Sequence, residues 1–411
     1  MNIEPAFLSS ILAAFALPRP LCALLLLSLF ASVAAAQTQG PTRGARGEGV
    51  PNFTVRAGYR VDLVADQLTE ARFLEFGDKG LLYLSQPRAG VILSLTDTDG
   101  DGTYDKTAKF VKEVPSAHCM DFHDGWLYFT QAIDGSCSKA RDTNGDGVAD
   151  EIVEVLPPKT VPSGGGHPFR GILLTSDSMY ITVADPSNLT EDVNAETKRI
   201  YRFPHSSSEK SVFASGIRNT EKLRLRPGTD EIWGCDQGSN NFGKKWGDEK
   251  GNQPITDLNP PEELNHYVLG GFYGHPYITG NRVPRPEFSD RPDVRDLAAK
   301  TIPPAWAFPA HGEPDGFTFL EKDYFKDHQG DLFVAFHGSS NLVDRVGYRV
   351  ERVLFDEMTG KPYGSLTVVN CLSPDGNTVL ARPVDCAEAP DGSVLFSCDQ
   401  TKKIYRISKP G

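Results

Sequence analysis

The chain has 411 residues and a formal net charge of −12, which argues against a nucleic-acid partner, because neutralising phosphates requires a basic surface. Its 39 glycines and 30 prolines favour many tight turns over long helices. Beyond the N-terminal segment no stretch is long and apolar enough to span a bilayer as a helix.

In chain order, two apolar runs, Phe7 to Leu17 and Leu21 to Val33, end in Ala34-Ala35-Ala36. A small-residue end of this kind predicts a signal peptide over residues 1–36, cut after Ala36, and a secreted or periplasmic mature chain. Residues 37–50 are polar and Gly-rich and read as a disordered lead-in, leaving 51–411 as one domain. Asn52 and Asn188 open glycosylation sequons, which matter only in a eukaryotic secreted setting.

Six strand–turn–strand units then follow one another. They start at Arg72 (RFLEFGDKGLLYLSQ), Cys119, Gly171, Lys222, Asp323 (DYFKDHQGDLFVAFHGS) and Val384. Each has an alternating strand, a polar turn with Gly or Asp, and a second apolar or aromatic strand. One such sheet cannot bury both faces, but six arranged radially can. The predicted fold is all-β, a single-domain six-bladed β-propeller, with the strand YRVDLVADQ from Tyr59 joining the C-terminal strands to close the ring.

Between units, Asp97, Asp99, Asp101 and Asp105 are echoed one blade later by Asp142, Asn144, Asp146 and Asp150. Oxygen ligands at alternate positions around a glycine turn suit Ca²⁺, here as a staple between blade edges rather than as a catalyst. Without the ion, the same residues would form solvated Asx-turns. Once Cys22 leaves with the signal, six cysteines remain, an even number for an exported chain. Cys119 and Cys137 flank one hairpin and are the expected disulfide pair.

Propellers carry function on the loops around one end of the channel. Four segments there hold candidate groups: Gly164-Gly165-Gly166-His167, then Ile217-Arg218-Asn219, Phe336-His337-Gly338 and Ala381-Arg382. His167 has the ordinary pKa of a general base. Two arginines and two histidines from four blades suit a small polyanionic ligand.

In this order GIRN, WGCDQGSNN, PPEELN, GGFYGHPY, PAHGEPDGFTF, GDLFVAFHGS and ARPVDCAEAPDGS resemble the glucose/sorbosone dehydrogenase family, from about Tyr59 to Ser408. That resemblance implies a six-bladed propeller that oxidises sugars or related alcohols and aldehydes with pyrroloquinoline quinone (PQQ) and Ca²⁺. By the same resemblance His167 is the base, while Arg218 and Asn219 contact the quinone oxygens. Gly238 and Ser239 offer backbone carbonyls to Ca²⁺, and His337 and Arg382 hold cofactor carboxylates. The sequence departs from soluble glucose dehydrogenases at Gly166 (an aspartate there), His337 (a lysine) and Val384 (a second arginine), and is closer to the sorbosone-type branch. With no C-x-x-C-H haem motif, electrons would leave to an external acceptor, a quinone or a cytochrome. The alternatives are a non-catalytic propeller binding carbohydrate or protein, and a metal-dependent lactonase-like hydrolase. The latter would need convergent channel carboxylates, which the sequence shows only in the outer turns.

Overall fold

The computed structural model describes residues 43–191, 196–206, 209–339 and 341–410; the expected signal peptide lies outside them. Six antiparallel sheets follow in order. Blade 1 is Leu74–Phe76, Leu82–Gln86, Val91–Thr96 and Lys106–Lys112. Blade 2 is Ala117–His123, Trp126–Gln131, Ser136–Arg141 and Glu151–Leu156. Blade 3 is Ile172–Leu174, Ser178–Val183, Arg199–Pro204 and Ser211–Ser215. Blade 4 is Leu223–Leu225, Ile232–Asp236, Glu262–Tyr267 and Trp306–Phe308. Blade 5 is Pro314–Phe319, Leu332–Phe336, Arg349–Phe355 and Pro362–Asn370. In blade 6, Pro383–Glu388, Val394–Cys398 and Lys403–Ser408 are completed by Arg60–Ala65, which pairs antiparallel with Lys403–Ser408. The predicted six-bladed propeller and its closure are both present.

The hydrophobic core is divided into interfaces between blades. Val64, Leu74, Leu84, Leu395 and Ile404 fill the junction of blades 6 and 1. Trp233, Leu264, Phe317, Phe336 and Phe355 fill that of blades 4 and 5. Burying both faces of each sheet in this way is what a lone blade could not do.

Three expectations need correction. The inner strand of blade 5 is Pro314–Phe319, so the unit begins earlier than Asp323, and the segment after Asp323 forms the turn before Leu332–Phe336. Within the supposed disordered lead-in, Ala45–Arg46 pairs in parallel with Arg60 and Val61. Cys119 and Cys137 are not bonded, and the six cysteines of the described residues are free and buried. The reason is geometric: Trp126–Gln131 runs between their two strands. Two strand spacings, about 9.5 Å, exceed the Cα separation a disulfide can bridge.

Along the axis the inner strands stack charges in layers. Lys222 Nζ lies 2.7 Å from both carboxylate oxygens of Asp385, with side chains 1% and 0% exposed. Below them Arg224 pairs with Glu75 and Asp121. Blade 4 also carries an insertion over residues 268–305, with the short helix Val294–Lys300. Among the described residues no helix is long and apolar enough to cross a membrane.

Because both Lys222 and Asp385 are out of water, removing one leaves an uncompensated buried charge. Lys222→Ala should lower the unfolding free energy by about 3–5 kcal/mol, measured by denaturant titration; a change below about 1 kcal/mol would contradict the pairing.

Candidate functional site

Strands alternate direction, so the loops entering inner strands and those leaving second strands share one end of the ring. His167, Arg218, Asn219, Gly238 and His337 all lie on such loops, and they line one cavity of about 230 Å³ at the channel mouth with Arg72, Glu221, Glu262 and Asp315. Five of the sequence-predicted residues are thus brought together.

The glycine run places His167. Gly165 has φ +85°, and a Cβ there would stand 2.8 Å from the Pro186 Cα, so only glycine lets this loop lie against Pro186. The Gly166 N–H donates to the Pro186 carbonyl at 2.6 Å. The neighbouring carbonyl of Asp185 faces His167 Nδ1 at 2.8 Å. A carbonyl can only accept, so the proton sits on Nδ1, and Nε2 keeps its lone pair without a protein partner among the described contacts. Burial, then the Arg218 charge, lowers the His167 pKa. The imidazole is neutral at neutral pH and basic at Nε2.

Arg218 is held by neutral oxygens. Its Nε donates to the Asn188 carbonyl (3.0 Å), and its terminal nitrogens donate to Asn188 Oδ1 (3.2 Å) and the Gln237 carbonyl (3.3 Å). Among the described residues no carboxylate is in ion-pair contact with the guanidinium, and Glu262, Asp236 and Asp185 act on it only from further away. Asn188 Nδ2 in turn donates to the Asn240 carbonyl at 3.0 Å, so this sequon asparagine is committed to the site rather than presented for a glycan. Beneath, the Asp236 carboxylate accepts the backbone N–H groups of Arg218 and Asn219. Asn219 Nδ2 donates to Glu221 and Gln237, while its buried Oδ1 has no partner. Glu262 accepts the N–H groups of Gly238 and Glu313, and burial raises it to about 8. Ser239 is buried and its hydroxyl accepts from Arg285.

On the opposite wall Arg72 donates to Asp399 (3.1 Å) and lies 3.4 Å from Glu221. His337 Nε2 is 3.1 Å from Asp399. Burial disfavours the imidazolium, but Asp315, Asp399 and Glu313 outweigh it and raise His337 to about 9. The surrounding carboxylates thus favour the imidazolium, while the Arg382 guanidinium, a donor 2.9 Å from Nδ1, opposes it. Arg382 does not line the cavity. Its guanidinium donates to the carbonyls of His337 (3.1 Å) and Gly338 (2.6 Å) and stands 2.9 Å from His337 Nδ1, buttressing that side chain.

Several channel groups escaped the sequence reading: Arg72, His118, Asp185, Glu221, Glu262, His275, Glu313, Asp315 and Asp399. Convergent carboxylates, expected only in the outer turns, are also present here. Most are already committed: Glu221 to Asn219 and Arg72, Glu262 to backbone N–H groups, and Asp315 to Gln237 at 2.7 Å. The available signal was positional. Arg72 and Glu221 stand two residues before their inner strands, and His118 and Asp315 are the second residues of theirs.

The acidic turns join third to fourth strands and so lie at the other end of the ring. Asp97 accepts the N–H groups of Gly100 and Gly102, and Asp105 that of Thr98. Asp142 repeats this with Gly145 and Gly147, Asn144 with Asp146, and Asp150 with Thr143; Asp146 accepts from Val148. Each turn also grips the preceding blade, Tyr104 N–H to the Val64 carbonyl and Ser94 Oγ to the Gly147 carbonyl. Among the described residues, Asp97, Asp99 and Asp101 form the group whose ligand oxygens lie within 4.8 Å of one another.

At the mouth of this six-bladed propeller a histidine, an arginine and an amide side chain share one cavity. The family model described as TrAA12-like matches residues 53–410, and the chain belongs to that family. It is 29% identical over 205 residues to an uncharacterised protein of Borreliella burgdorferi, 49% of each chain, and so spans about half the length of that relative. The fold is shared with a calcium structure of a Trichoderma reesei enzyme of carbohydrate-active family AA12 (TM-score 0.74, 19% identity, 88% of this chain and 98% of that one). It is equally shared with the holo PQQ domain of pyranose dehydrogenase from Coprinopsis cinerea (TM-score 0.74, 18% identity, 89% and 100%). The apo soluble aldose sugar dehydrogenase of Escherichia coli is more distant (TM-score 0.59, 14% identity, 86% and 100%). The kinship read from the ordered motifs is borne out in family and fold.

Since His337 is raised from an ordinary 6.5 to about 9, its contribution to stability is complete below pH 6.5 and is lost as pH rises through 9. Asp399→Asn should flatten that part of the stability–pH curve, measured by denaturant unfolding between pH 6 and 10; an unchanged slope would contradict the assignment.

Proposed function

We propose that the protein is an oxidoreductase of the sugar-dehydrogenase type, taking PQQ with Ca²⁺ at the channel mouth and oxidising a sugar or related alcohol or aldehyde outside the cytoplasm. The observation that carries this reading is the free Nε2 of His167 in the same cavity as Arg218 and Asn219. The shared family and fold support it.

The residues present fit such a group. Asn219 Oδ1 and Arg72 Nε are buried without partners, which leaves polar atoms for a bound polar molecule to satisfy. Arg72, Arg218 and His337 offer cationic or donor groups to carboxylates. Gly238, with its N–H fixed by Glu262, and Ser239 would turn carbonyls to the Ca²⁺.

When bound, the quinone supplies the two-electron acceptor that side chains lack. His167 takes the proton of the substrate hydroxyl at Nε2, while the Asp185 carbonyl keeps the other nitrogen protonated. Arg218, whose guanidinium is hydrogen-bonded to neutral oxygens, stabilises the negative charge that develops opposite it. Arg382 acts through His337. Electrons then pass to an external acceptor.

Dye-linked oxidation of aldoses by the mature protein with PQQ and Ca²⁺ tests this. His167→Ala should lower kcat about 10²–10⁴-fold; an absorbance titration showing no PQQ binding would overturn the reading.

Ca²⁺ in the acidic turns, if present at 100 times its Kd, adds about 2.7 kcal/mol. EDTA should therefore lower the melting temperature of wild type, and by less in Asp97→Ala, which keeps only the second turn; equal curves with and without EDTA in wild type would rule the staple out.

A further inference from the structure

We propose that His275 is a positioning residue that, through Asp185, sets both the base and the arginine of the channel-mouth site; this rests on the reading of His167 as the base. His275 belongs to the blade 4 insertion and is 9% exposed. Its Nε2 lies 2.7 Å from Asp185 Oδ2, and its backbone N–H donates to the Gly216 carbonyl at 2.9 Å, two residues before Arg218.

Asp185 is a junction. Its carbonyl accepts the His167 Nδ1–H, and its own N–H donates to the Arg218 carbonyl at 2.8 Å. Its fully buried carboxylate also accepts the N–H groups of Ser187 and Thr190, both at 2.9 Å, which folds residues 185–190 into a tight loop around it. Asn188, in the middle of that loop, grips the Arg218 guanidinium with its carbonyl and its Oδ1. One loop therefore carries the carbonyl that selects the tautomer of His167 and the amide that aims Arg218.

Among the described residues the Asp185 carboxylate has three donors, two from the loop itself and one, His275, from another blade. His275 ties the Asp185 carboxylate itself to the insertion, and the Arg291–Glu191 ion pair joins the insertion to the residue just after the loop. A buried carboxylate that loses a donor must find a replacement, and the cheapest movement is a rotation of the loop, which withdraws the Asp185 carbonyl from His167 and Asn188 from Arg218. The blade 4 insertion is thereby coupled to the chemistry: changes in it should act on the rate more than on sugar binding.

The test combines two measurements on the full mature chain. Nitrogen-15 NMR of labelled histidine, without cofactor, should show wild-type His167 as the Nδ1–H tautomer. His275→Leu, which fills the space but cannot donate, should give mixed tautomers, and His275→Gln, whose amide N–H reaches about as far as the imidazole, should restore the single form. With PQQ and Ca²⁺, kcat should fall about 10- to 100-fold in His275→Leu, with the sugar KM within about twofold, and His275→Gln should recover most of it. If the Leu variant does not fold, His275→Asn, polar but too short to reach Asp185, replaces it in both measurements. Wild-type His167 found as the Nε2–H tautomer would overturn the proposal, as would a folded variant with unchanged tautomer and kcat. Absence of dye reduction by wild type would sink the dehydrogenase reading, while the tautomer result would still decide the role of His275.

Discussion

Six inner strands meeting at one axis exclude water from it, so every charged side chain they carry there needs a partner. Deep in the ring the demand is met locally: Lys222 with Asp385, and Arg224 with Glu75 and Asp121. At the mouth it is met only in part. Among the described residues, Asn219 Oδ1 and Arg72 Nε remain without partners, and the Arg218 guanidinium hydrogen-bonds to neutral oxygens. The same convergence that stabilises the axis thus leaves a polar vacancy at one end, and that vacancy is the candidate site.

The two ends of the ring divide the work. Loops entering inner strands supply His167, Arg218 and Asn219, and the loop leaving the second strand of blade 5 supplies His337. The other end carries the acidic turns, whose hydrogen bonds to the preceding blade hold neighbouring edges together. Strand alternation alone dictates this separation, because successive turns of an antiparallel sheet fall on opposite sides.

Much of the fold was legible because hairpin alternation survives in each blade and the propeller is the arrangement that buries both faces. The register of blade 5 was not, since Pro314 and Gly316 disguise its inner strand as a loop while the polar segment after Asp323 mimics a strand entrance. In the site, His167, Arg218, Asn219 and His337 were legible from glycine runs and strand-entry positions. Arg72, Glu221 and Asp315 were not, because a single charge beside a strand looks like surface until six strands are rotated onto one axis. Arg382 was read as facing the ligand, yet its side chain turns back to the carbonyls of His337 and Gly338. The aspartate missing before His167 is answered from a distance: the backbone carbonyl of Asp185 orients the imidazole, and a carbonyl leaves no trace in sequence. The free cysteines, too, follow from strand order that spacing along the chain does not reveal.

Central to this account is that the channel mouth, with His167, Arg218 and Asn219 together, is where an anionic quinone binds. A crystal structure of the protein grown with PQQ and Ca²⁺ tests that most directly. Density for the quinone within contact of all three side chains is the expected result. A well-ordered structure with that cavity filled by solvent alone, or with the quinone bound elsewhere, would contradict it.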